Sequence, residues 1–414
     1  MPHAPPVGEN ELRGQAEQWV RQVSGQACAS GTLAYALNMI VVPSRMGQIN
    51  KRTLLGRLRK MGQGSRAELA RLLGISQPTG GRIVDELLEA EVLEEIQENS
   101  PNLEGVRNNV KLGRPSRMLR LDSTHPRFLG IQLGVTETRL ASLPLGIGNE
   151  ESWDACFATP STVEQWLNRL RETAPRFISK DLWGVLVSAP GIVDEKAGRI
   201  LFSPNLHWSE KADLPGFIRQ IWNVPVLLVQ EERALSMGHA AVPGDENFLL
   251  VDFGEGVGGA VGCVETLIST RGLLQSFALA APSSPHTWPA LVQHIAQEGV
   301  TGWLGEAIGA VAAVIAGAVN VLGVGHVVIT GSLTELASGV LEHLEQAVVK
   351  GTMWARFGKV TCVSAPRRRT AGLVCVGIDR LVSSLSDPTP VSHSVPSPQF
   401  HQRSLQVAAH SPTA

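Results

Sequence analysis

Residues 65–89, SRAELARLLGISQPTGGRIVDELLE, decide the fold of the N-terminal part of this chain. Ser65 precedes a helical pattern, and an acid follows it three residues later, which is the capping-box signature of a helix start. Gly74 ends that helix, and Ser76 begins a second one in which apolar residues recur at helical spacing. Two helices joined by a short turn with glycine predict a helix-turn-helix.

This stretch lies in a strongly basic part of the chain. Residues 51–82 carry eight Lys or Arg side chains and one acid, Glu68, so the segment has a net charge of +7, whereas the whole chain has −2. An isolated run of charge is usually a solvated face without a partner. Here the charge coincides with a helix-turn-helix, which favours double-stranded DNA as the partner.

A small sheet is predicted after the helix-turn-helix. Residues 92–96 and 118–121 have strand patterns, and the polar loop between them ends in the basic stretch 111–117. Two strands in this position predict a wing whose basic tip contacts the phosphate backbone or the minor groove.

Base contacts are predicted on the exposed side of the second helix, at Gln77, Thr79 and Arg82. An arginine there can read guanine through two hydrogen bonds. The other predicted DNA contacts lie at the two helix starts and in the wing: Ser65, Arg66, Ser76, Arg114 and Arg117. Gly80 and Gly81 are unexpected in this helix, because each costs about 1 kcal/mol relative to Ala. We expect such a helix either to become firm only on DNA or to bring its backbone close to the groove.

Short segments rich in β-branched residues, typical of strands, alternate with helical segments from residue 128 onwards, which predicts α/β layers. The candidate strands are residues 129–133, 182–188, 226–229, 248–253 and 327–329. Residues 307–334 contain no Asp, Glu, Lys or Arg, but Asn320 and Gly323 interrupt the run. We therefore expect a buried helix at 303–322 followed by a buried strand, and not a membrane span.

The predicted organisation has four parts: a helical extension at residues 1–50, a winged helix-turn-helix domain at 51–122, an α/β body at 123–383, and a disordered tail at 384–414 rich in Pro, Ser and Thr. No secretory signal is recognisable at the start, so we expect a cytoplasmic protein. The five cysteines are scattered without metal-ligand spacing, and we expect them to be buried reduced thiols.

Several separate motifs in the chain resemble those of one known family. They are the helix-turn-helix, the wing segment Gly113-Arg114-Pro115, the block Ser188-Ala189-Pro190-Gly191-Ile192-Val193-Asp194, and Pro204-Asn205-Leu206 with Trp208. Together they resemble the ROK family of repressors, open reading frames and sugar kinases, and more narrowly its transcriptional-regulator branch. The resemblance implies a body of two actin-like, ribonuclease-H-like lobes with a cleft between them. It places the sugar-side positions of the family on Pro190, Gly191, Asn205, Gln230 and Glu231.

The kinases of the family carry their chemistry at positions that differ in this chain. Their first phosphate loop has an Asp where this chain has Gln132, and a cation where this chain has Glu137. In the second phosphate loop, Glu255 replaces a hydroxyl-bearing residue. Their catalytic base is an Asp at the position of Glu231, whose carboxylate is one methylene farther from the backbone. Their zinc-binding cysteines are missing here, so no structural metal is expected.

These differences predict a sugar-kinase-type body that does not catalyse phosphoryl transfer and uses no cofactor. The leading hypothesis is a homodimeric DNA-binding transcriptional regulator, a repressor of carbohydrate-related genes, whose body dimerises and binds a small sugar effector. We expect helix 303–322 to be core and not the dimer surface. Two alternatives stay open: a divergent ROK sugar kinase that uses Glu231 as its base, and a scaffold that does not bind DNA.

Overall fold

The computed structural model describes residues 43–96, 117–146, 148, 151–178, 180–242, 244, 247–254 and 268–380. Most of the predicted N-terminal extension, the predicted DNA contact Arg114, the loop residue Glu255 and the predicted tail lie outside these residues.

Residues 43–121 contain an N-terminal unit of three helices and a small antiparallel sheet. The helices are α1 (Pro43–Met61), α2 (Arg66–Leu72) and α3 (Gln77–Glu89). The strands are β1 (Gly64–Ser65), β2 (Leu93–Ile96) and β3 (Met118–Leu121), in the order β1-β3-β2. Both predicted helix starts are confirmed, because the Ser65 hydroxyl accepts a hydrogen bond from the Glu68 amide and the Ser76 hydroxyl from the Thr79 amide, each at 3.3 Å.

Close packing of α2 against α3 accounts for one of the two unexpected glycines. A Cβ atom at Gly80 would lie 2.8 Å from the Cβ atom of Ala70 in α2, closer than two such carbons approach. A Cβ atom at Gly81 would have no neighbour within 4 Å. The absence of a side chain at Gly80 is therefore what lets the two helices touch.

The first lobe is built on a five-stranded sheet. Its elements in chain order are β4 (Pro126–Leu133), β5 (Glu137–Pro144), β6 (Ala155–Ala158), α4 (Val163–Thr173), β7 (Gly184–Ala189), the hairpin β8 (Ile192–Asp194) and β9 (Arg199–Phe202), α5 (Leu214–Trp222), β10 (Val226–Gln230) and α6 (Glu231–Ala240). The strand order is β10-β7-β4-β5-β6; the first three strands are parallel, and β5 and β6 are antiparallel. This is the ribonuclease-H-like arrangement that the resemblance implies.

The second lobe contains a three-stranded parallel sheet in the order β11-β12-β13. Its elements are β11 (Leu249–Phe253), α7 (Thr270–Ala280), α8 (Trp288–Glu298), α9 (Gly302–Leu322), β12 (His326–Gly331), α10 (Ser338–Gly351) and β13 (Thr361–Ser364). Short 3₁₀ helices occur at Ala174–Phe177, His207–Ser209, Ser332–Glu335 and Met353–Arg356.

The last described helix, α11 (Arg369–Arg380), follows the second lobe in sequence but packs on the first. Nine of its twelve residues are buried. A Cβ atom at Gly372 would lie 1.7 Å from the Ala234 carbonyl oxygen, so α11 and α6 touch backbone to backbone there. On its other side, α11 shares one apolar core with α1 and α3, which joins the N-terminal unit to the first lobe.

Helix α9 confirms the prediction of a buried helix at 303–322. Eight of its residues are buried, and seven of these lie in the core of the second lobe, among them Leu304, Ile308 and Ile315. By length and composition it is also the one helix in the described part of the chain that passes as a candidate membrane span, as core helices often do. Its opposite face is exposed, with Val321 at 85% of its full accessibility.

The cysteine prediction holds in part. Cys362 is buried, and burial raises the pKa of its thiol to about 12. Cys375 is half-buried, and burial raises its thiol pKa as well. Cys156 is exposed, so the expectation of a buried thiol is wrong there, because β6 is an edge strand and its alternate side chains face solvent. Cys28 and Cys263 lie outside the described residues.

The two glycines of α3 give opposite stability predictions. We expect Gly80→Ala to lower the free energy of unfolding by about 1–2 kcal/mol, because the new methyl group forces α2 away from α3. We expect Gly81→Ala to raise it by up to about 1 kcal/mol, because Ala is the better helix former and meets no neighbour. Urea unfolding of both variants measures the difference, and equal effects would show that α2 and α3 do not pack in this way.

Candidate functional site

The exposed side of α3 carries the predicted base contacts. Gln77 and Arg82 are exposed, and the Arg82 guanidinium lies 3.9 Å from the Glu86 carboxylate one turn later. Thr79 is half-buried, and its hydroxyl is 2.8 Å from that of Ser76, so the cap fixes its orientation. The start of α3 therefore presents a hydroxyl pair beside an exposed cation, which suits contacts with phosphate and base edges.

Arg66 and Arg117 belong to an ion-pair network at one edge of the N-terminal unit. Arg66 donates to Asp85 at 2.5 Å and to Glu95 at 3.1 Å, and Arg117 donates to Glu95 at 2.7 Å. The hydrogen bond to Asp85 raises the pKa of Arg66, and that from Arg117 lowers the pKa of Glu95. Arg66 thus ties α2 to α3 and to β2, whereas the side chain of Arg117 keeps 63% of its accessibility for a further partner.

A second candidate site lies where the parallel strands of the first lobe end. Gln132 and Ser188 occupy paired positions near the ends of β4 and β7, and Glu231 follows β10 as the first residue of α6. The carboxyl ends of adjacent parallel strands meet at one edge, where ligands of α/β proteins bind. The Gln132 amide donates to the Glu231 carboxylate at 3.3 Å.

Two polar atoms at this edge are buried without a partner in the described structure. They are the amide oxygen of Gln132 and the hydroxyl of Ser188. Buried polar atoms are nearly always hydrogen-bonded, so such atoms are expected where water or a hydroxylated ligand completes the set.

Four of the five sugar-side residues implied by the resemblance lie at the same edge. Pro190 and Gly191 follow β7, and Gln230 and Glu231 lie across the junction of β10 and α6, in the neighbouring strand. The main-chain N–H of Gln230 donates to the Glu195 carboxylate at 3.2 Å. Asn205 is half-buried in the turn after β9.

Glu231, at the position of the kinase base, is paired with a buried cation. The Arg369 guanidinium donates to Glu231 at 2.5 Å and to Glu151 at 2.7 Å, and the arginine is only 2% exposed. Hydrogen bonds between charged groups are shorter and stronger than those between neutral groups. The Glu231 carboxylate is therefore already engaged by Arg369.

A neighbouring arginine makes the equivalent contact in the second lobe. Arg367 donates through two nitrogens to the Asp252 carboxylate, at 2.7 and 2.9 Å, and also to the Phe253 carbonyl. Burial opposes the charged form of Arg367, but the hydrogen bond to Asp252 and the nearby carboxylate charges together outweigh it and raise the pKa. Arg367 thus forms its ion pair in the second lobe, and Arg369, two residues later, forms its ion pairs in the first lobe.

The first phosphate-loop segment is closed by its own contacts. The Gly134 amide donates to the Glu137 carbonyl at 3.1 Å, so it is already used within the loop. The Arg139 guanidinium is 2.7 Å from the Glu137 carboxylate and lowers its pKa, which keeps a negative charge in the loop. Both features disfavour a bound phosphate.

Sequence reasoning located Glu231 and Gln132 but missed Arg369, Glu151 and Arg367. Arg369 lies 138 residues from Glu231 and 218 from Glu151, so no local spacing signals either pair. The one signal in the sequence was the run of three arginines at residues 367–369, which ends at the first residue of α11.

The two lobes, with a polar edge at the carboxyl ends of the first sheet, define a two-lobed α/β body of the sugar-kinase type. Residues 128–261 match the model of the ROK family, which agrees with the resemblance of the motifs to that family.

Relatives with known names are distant. The xylose repressor of Caldicellulosiruptor bescii (strain ATCC BAA-1888 / DSM 6725 / KCTC 15123 / Z-1320) is 24% identical over 206 residues, which are 46% of this chain and 47% of the relative. The xylose repressor of Bacillus spizizenii (strain ATCC 23059 / NRRL B-14472 / W23) is 25% identical over 222 residues, 51% of this chain and 54% of the relative. The chain thus spans about half the length of the curated relatives it matches.

A solved structure of a ROK family transcriptional regulator, described as a homolog of the E. coli MLC protein, superposes with a TM-score of 0.56. It covers 80% of this chain and 97% of its own, at 18% identity, and so is similar in fold.

The buried pair gives a prediction for stability. We expect Arg369→Met to lower the free energy of unfolding by about 3–5 kcal/mol, because it leaves two part-buried carboxylates without their cation. The double variant Arg369→Met/Glu231→Gln should lose less free energy of unfolding than the sum of the two single changes, since each charge is destabilising only when its partner has been removed. Urea unfolding of the three variants measures this coupling.

Arg169→Met is the matched control, because Arg169 pairs with Glu172 on an exposed helix face. It should change the free energy of unfolding by about 1 kcal/mol or less. Additive effects of Arg369→Met and Glu231→Gln would exclude the coupling.

Proposed function

We propose that the protein is a sugar-responsive transcriptional repressor that binds double-stranded DNA through its N-terminal unit and acts in the cytoplasm. The observation that carries the proposal is the position of α11. Its first residue, Arg369, bonds the cleft carboxylate Glu231, and the rest of the helix packs against the N-terminal unit. One rigid element therefore connects a candidate ligand site with a candidate DNA-binding site.

The N-terminal unit supports the DNA-binding part of the proposal. Its three helices and antiparallel sheet have the order of a winged helix-turn-helix, and α3 has an exposed, capped start with Arg82 beside it. In this proposal α3 enters the major groove, and Arg117 contacts the backbone or the minor groove from the wing, together with Arg114. Arg66 then holds the elements in place more than it contacts DNA, because two carboxylates already engage it.

The cleft supports a hydroxylated effector. The unpartnered atoms of Gln132 and Ser188, next to the Glu231 carboxylate, offer acceptors and a rotatable hydroxyl, which is what a sugar needs. The names of the relatives make xylose the first sugar to test.

Phosphoryl transfer is disfavoured by the same residues. A general base must be free to accept the proton of the sugar hydroxyl, but the Glu231 carboxylate is bonded to Arg369. The loop at Gly134 and Glu137 offers a used amide and a negative charge where a phosphate would need donors. The body is therefore proposed as a sensing domain.

Helix α11 gives the effector a route to the DNA-binding unit. A sugar hydroxyl that bonds Oε1 of Glu231 competes with Arg369 for that carboxylate oxygen. Farther along α11, the Ala371 carbonyl accepts a hydrogen bond from Arg59 of α1 at 3.1 Å, and Asp379 pairs with Arg52. A ligand that favours one position of α11 thereby favours one position of α1.

The exposed apolar surface of the second lobe is the proposed dimer surface. It includes part of α9, whereas the sequence favours helix 303–322 as core and not as the dimer surface. This surface contains Val314, Val321, Leu322, Met353 and Phe357, with exposures between 55% and 85%. Asn320 joins its two parts by accepting from the Met353 amide at 2.8 Å. A second copy of the chain would cover these side chains and supply a second half-site reader. Sedimentation at micromolar concentration tests this, and a monomer would exclude it.

DNA binding is tested with two arginines that have different proposed roles. On a site selected from a random DNA library, we expect Arg82→Ala to cost about 1–3 kcal/mol and to relax one base position. Arg117→Ala should weaken binding to all sequences alike and lower the salt dependence, because it removes a phosphate contact.

Arg169→Ala is the control for lost positive charge, since Arg169 lies on the first lobe away from the N-terminal unit. Unchanged binding by both Arg82→Ala and Arg117→Ala would reject the assignment of the DNA-contacting surface.

Sugar binding without turnover is tested by calorimetry with xylose. We expect Ser188→Ala to weaken xylose binding roughly tenfold, the effect of one lost hydrogen bond. Because the Ser188 hydroxyl has no partner in the described structure, its loss should leave the thermal stability unchanged. Ser142→Ala, the same change on β5, should alter neither quantity.

Incubation with ATP and Mg²⁺ should yield no sugar phosphate. Turnover that Glu231→Gln abolishes would instead establish the alternative, a divergent kinase that uses Glu231 as its base.

A further inference from the structure

A cavity of about 240 Å³ lies between the N-terminal unit and the first lobe, away from the edge that holds Glu231. Helix α1 lines it with Arg52, Leu55, Gly56, Arg59 and Lys60. These positions are three and four residues apart, so they form one continuous face of the helix. The opposite walls come from the end of α6 and from α11.

Small side chains create the space. Gly56 on α1 faces Ala240 and Ala241 at the end of α6, and Leu55 and Ile378 complete an apolar wall. A Cβ atom at Gly56 would have no neighbour within 4 Å, so the cavity reaches the backbone of α1. An apolar cavity of about 150 Å³ holds a benzene ring, so this one has room for a ring with a short side chain.

The charges on the wall are unequal. Three cationic residues line the cavity with one acidic residue, Asp379, and Asp379 is already paired with Arg52. The Arg59 guanidinium is bonded only to main-chain carbonyls, those of Leu145 and Ala371, each at 3.1 Å. Among the described residues, no carboxylate pairs with Arg59, and its Nε atom is buried without an acceptor.

A part-buried cation without a counter-charge is unfavourable. The cavity therefore lacks one negatively charged acceptor and a group of apolar atoms. A small carboxylic acid in its ionised form supplies both.

We propose that this cavity is a second ligand site, which binds a small monocarboxylate with an apolar body. The carboxylate lies against Arg59, and the apolar part fills the space between Gly56, Ala240 and Ile378. Because α1 and α11 form its walls, an occupant holds the N-terminal unit on the first lobe. Its effect on DNA rests on the proposed function, whereas the binding itself does not.

Calorimetry on the full chain tests the site with phenylbutyrate and, as its neutral counterpart, phenylbutanol. We expect one molecule of phenylbutyrate per chain and binding at least about tenfold tighter than that of the alcohol. Gly56→Leu should abolish binding, because the new side chain enters the cavity without a clash. Ala240→Leu fills the cavity from the opposite wall and should have the same effect.

Arg57→Met is the matched control, since Arg57 is the exposed cation next to Gly56 and does not line the cavity. It should leave phenylbutyrate binding unchanged. The proposal is overturned if phenylbutyrate does not bind, if the alcohol binds equally well, or if binding survives in both filled variants with unchanged melting temperatures.

Xylose titrations of the same variants separate the two sites. The second site is supported if Gly56→Leu removes phenylbutyrate binding and leaves xylose binding intact. A chain that binds phenylbutyrate in this way but neither xylose nor DNA would reject the proposed function and keep the cavity assignment.

Discussion

The buried ion pair between Arg369 and Glu231 fixes the start of α11, the helix that joins the cleft to the N-terminal unit. Burying a guanidinium is costly unless carboxylates and hydrogen bonds compensate for lost hydration. Here two carboxylates do so, Glu231 from α6 and Glu151 from the segment before β6. Since α11 also touches α6 backbone to backbone at Gly372, a displacement of Arg369 must move α11 as a whole.

The N-terminal unit and the first lobe are consequently one packed body in the described structure. Leu54 and Leu58 of α1 share a core with Leu373 and Val374 of α11. At a second point of contact, Arg127 of β4 pairs with Glu91 after α3, and its guanidinium lies 5.0 Å from the ring centre of Trp183. In the proposed function, coupling between the ligand site and the DNA-binding unit therefore needs no flexible linker; it needs two positions of α11 that a ligand distinguishes.

Much of this was predictable from local patterns. Residue type and spacing predict the serine caps, the turn between α2 and α3 and the parallel strands of the body. The motifs also resemble those of the ROK family, whose model matches residues 128–261. The long-range pairs were not predictable, because Arg369 meets partners more than a hundred residues away. The role of Gly80 was also hidden, since only the packed helices reveal that Ala70 occupies its side-chain space.

The carboxylate at position 231 illustrates how a catalytic position can be kept for another reason. From the sequence alone, Glu231 resembles a kinase base whose side chain is one methylene too long, which predicts a loss of catalytic function. In the folded protein the extra methylene brings the carboxylate to 2.5 Å from the Arg369 guanidinium, where it neutralises a cation that is 2% exposed. A neutral side chain there would leave Arg369 with Glu151 alone. The acid is thus required by the electrostatics of α11, whether or not any proton is ever transferred to it.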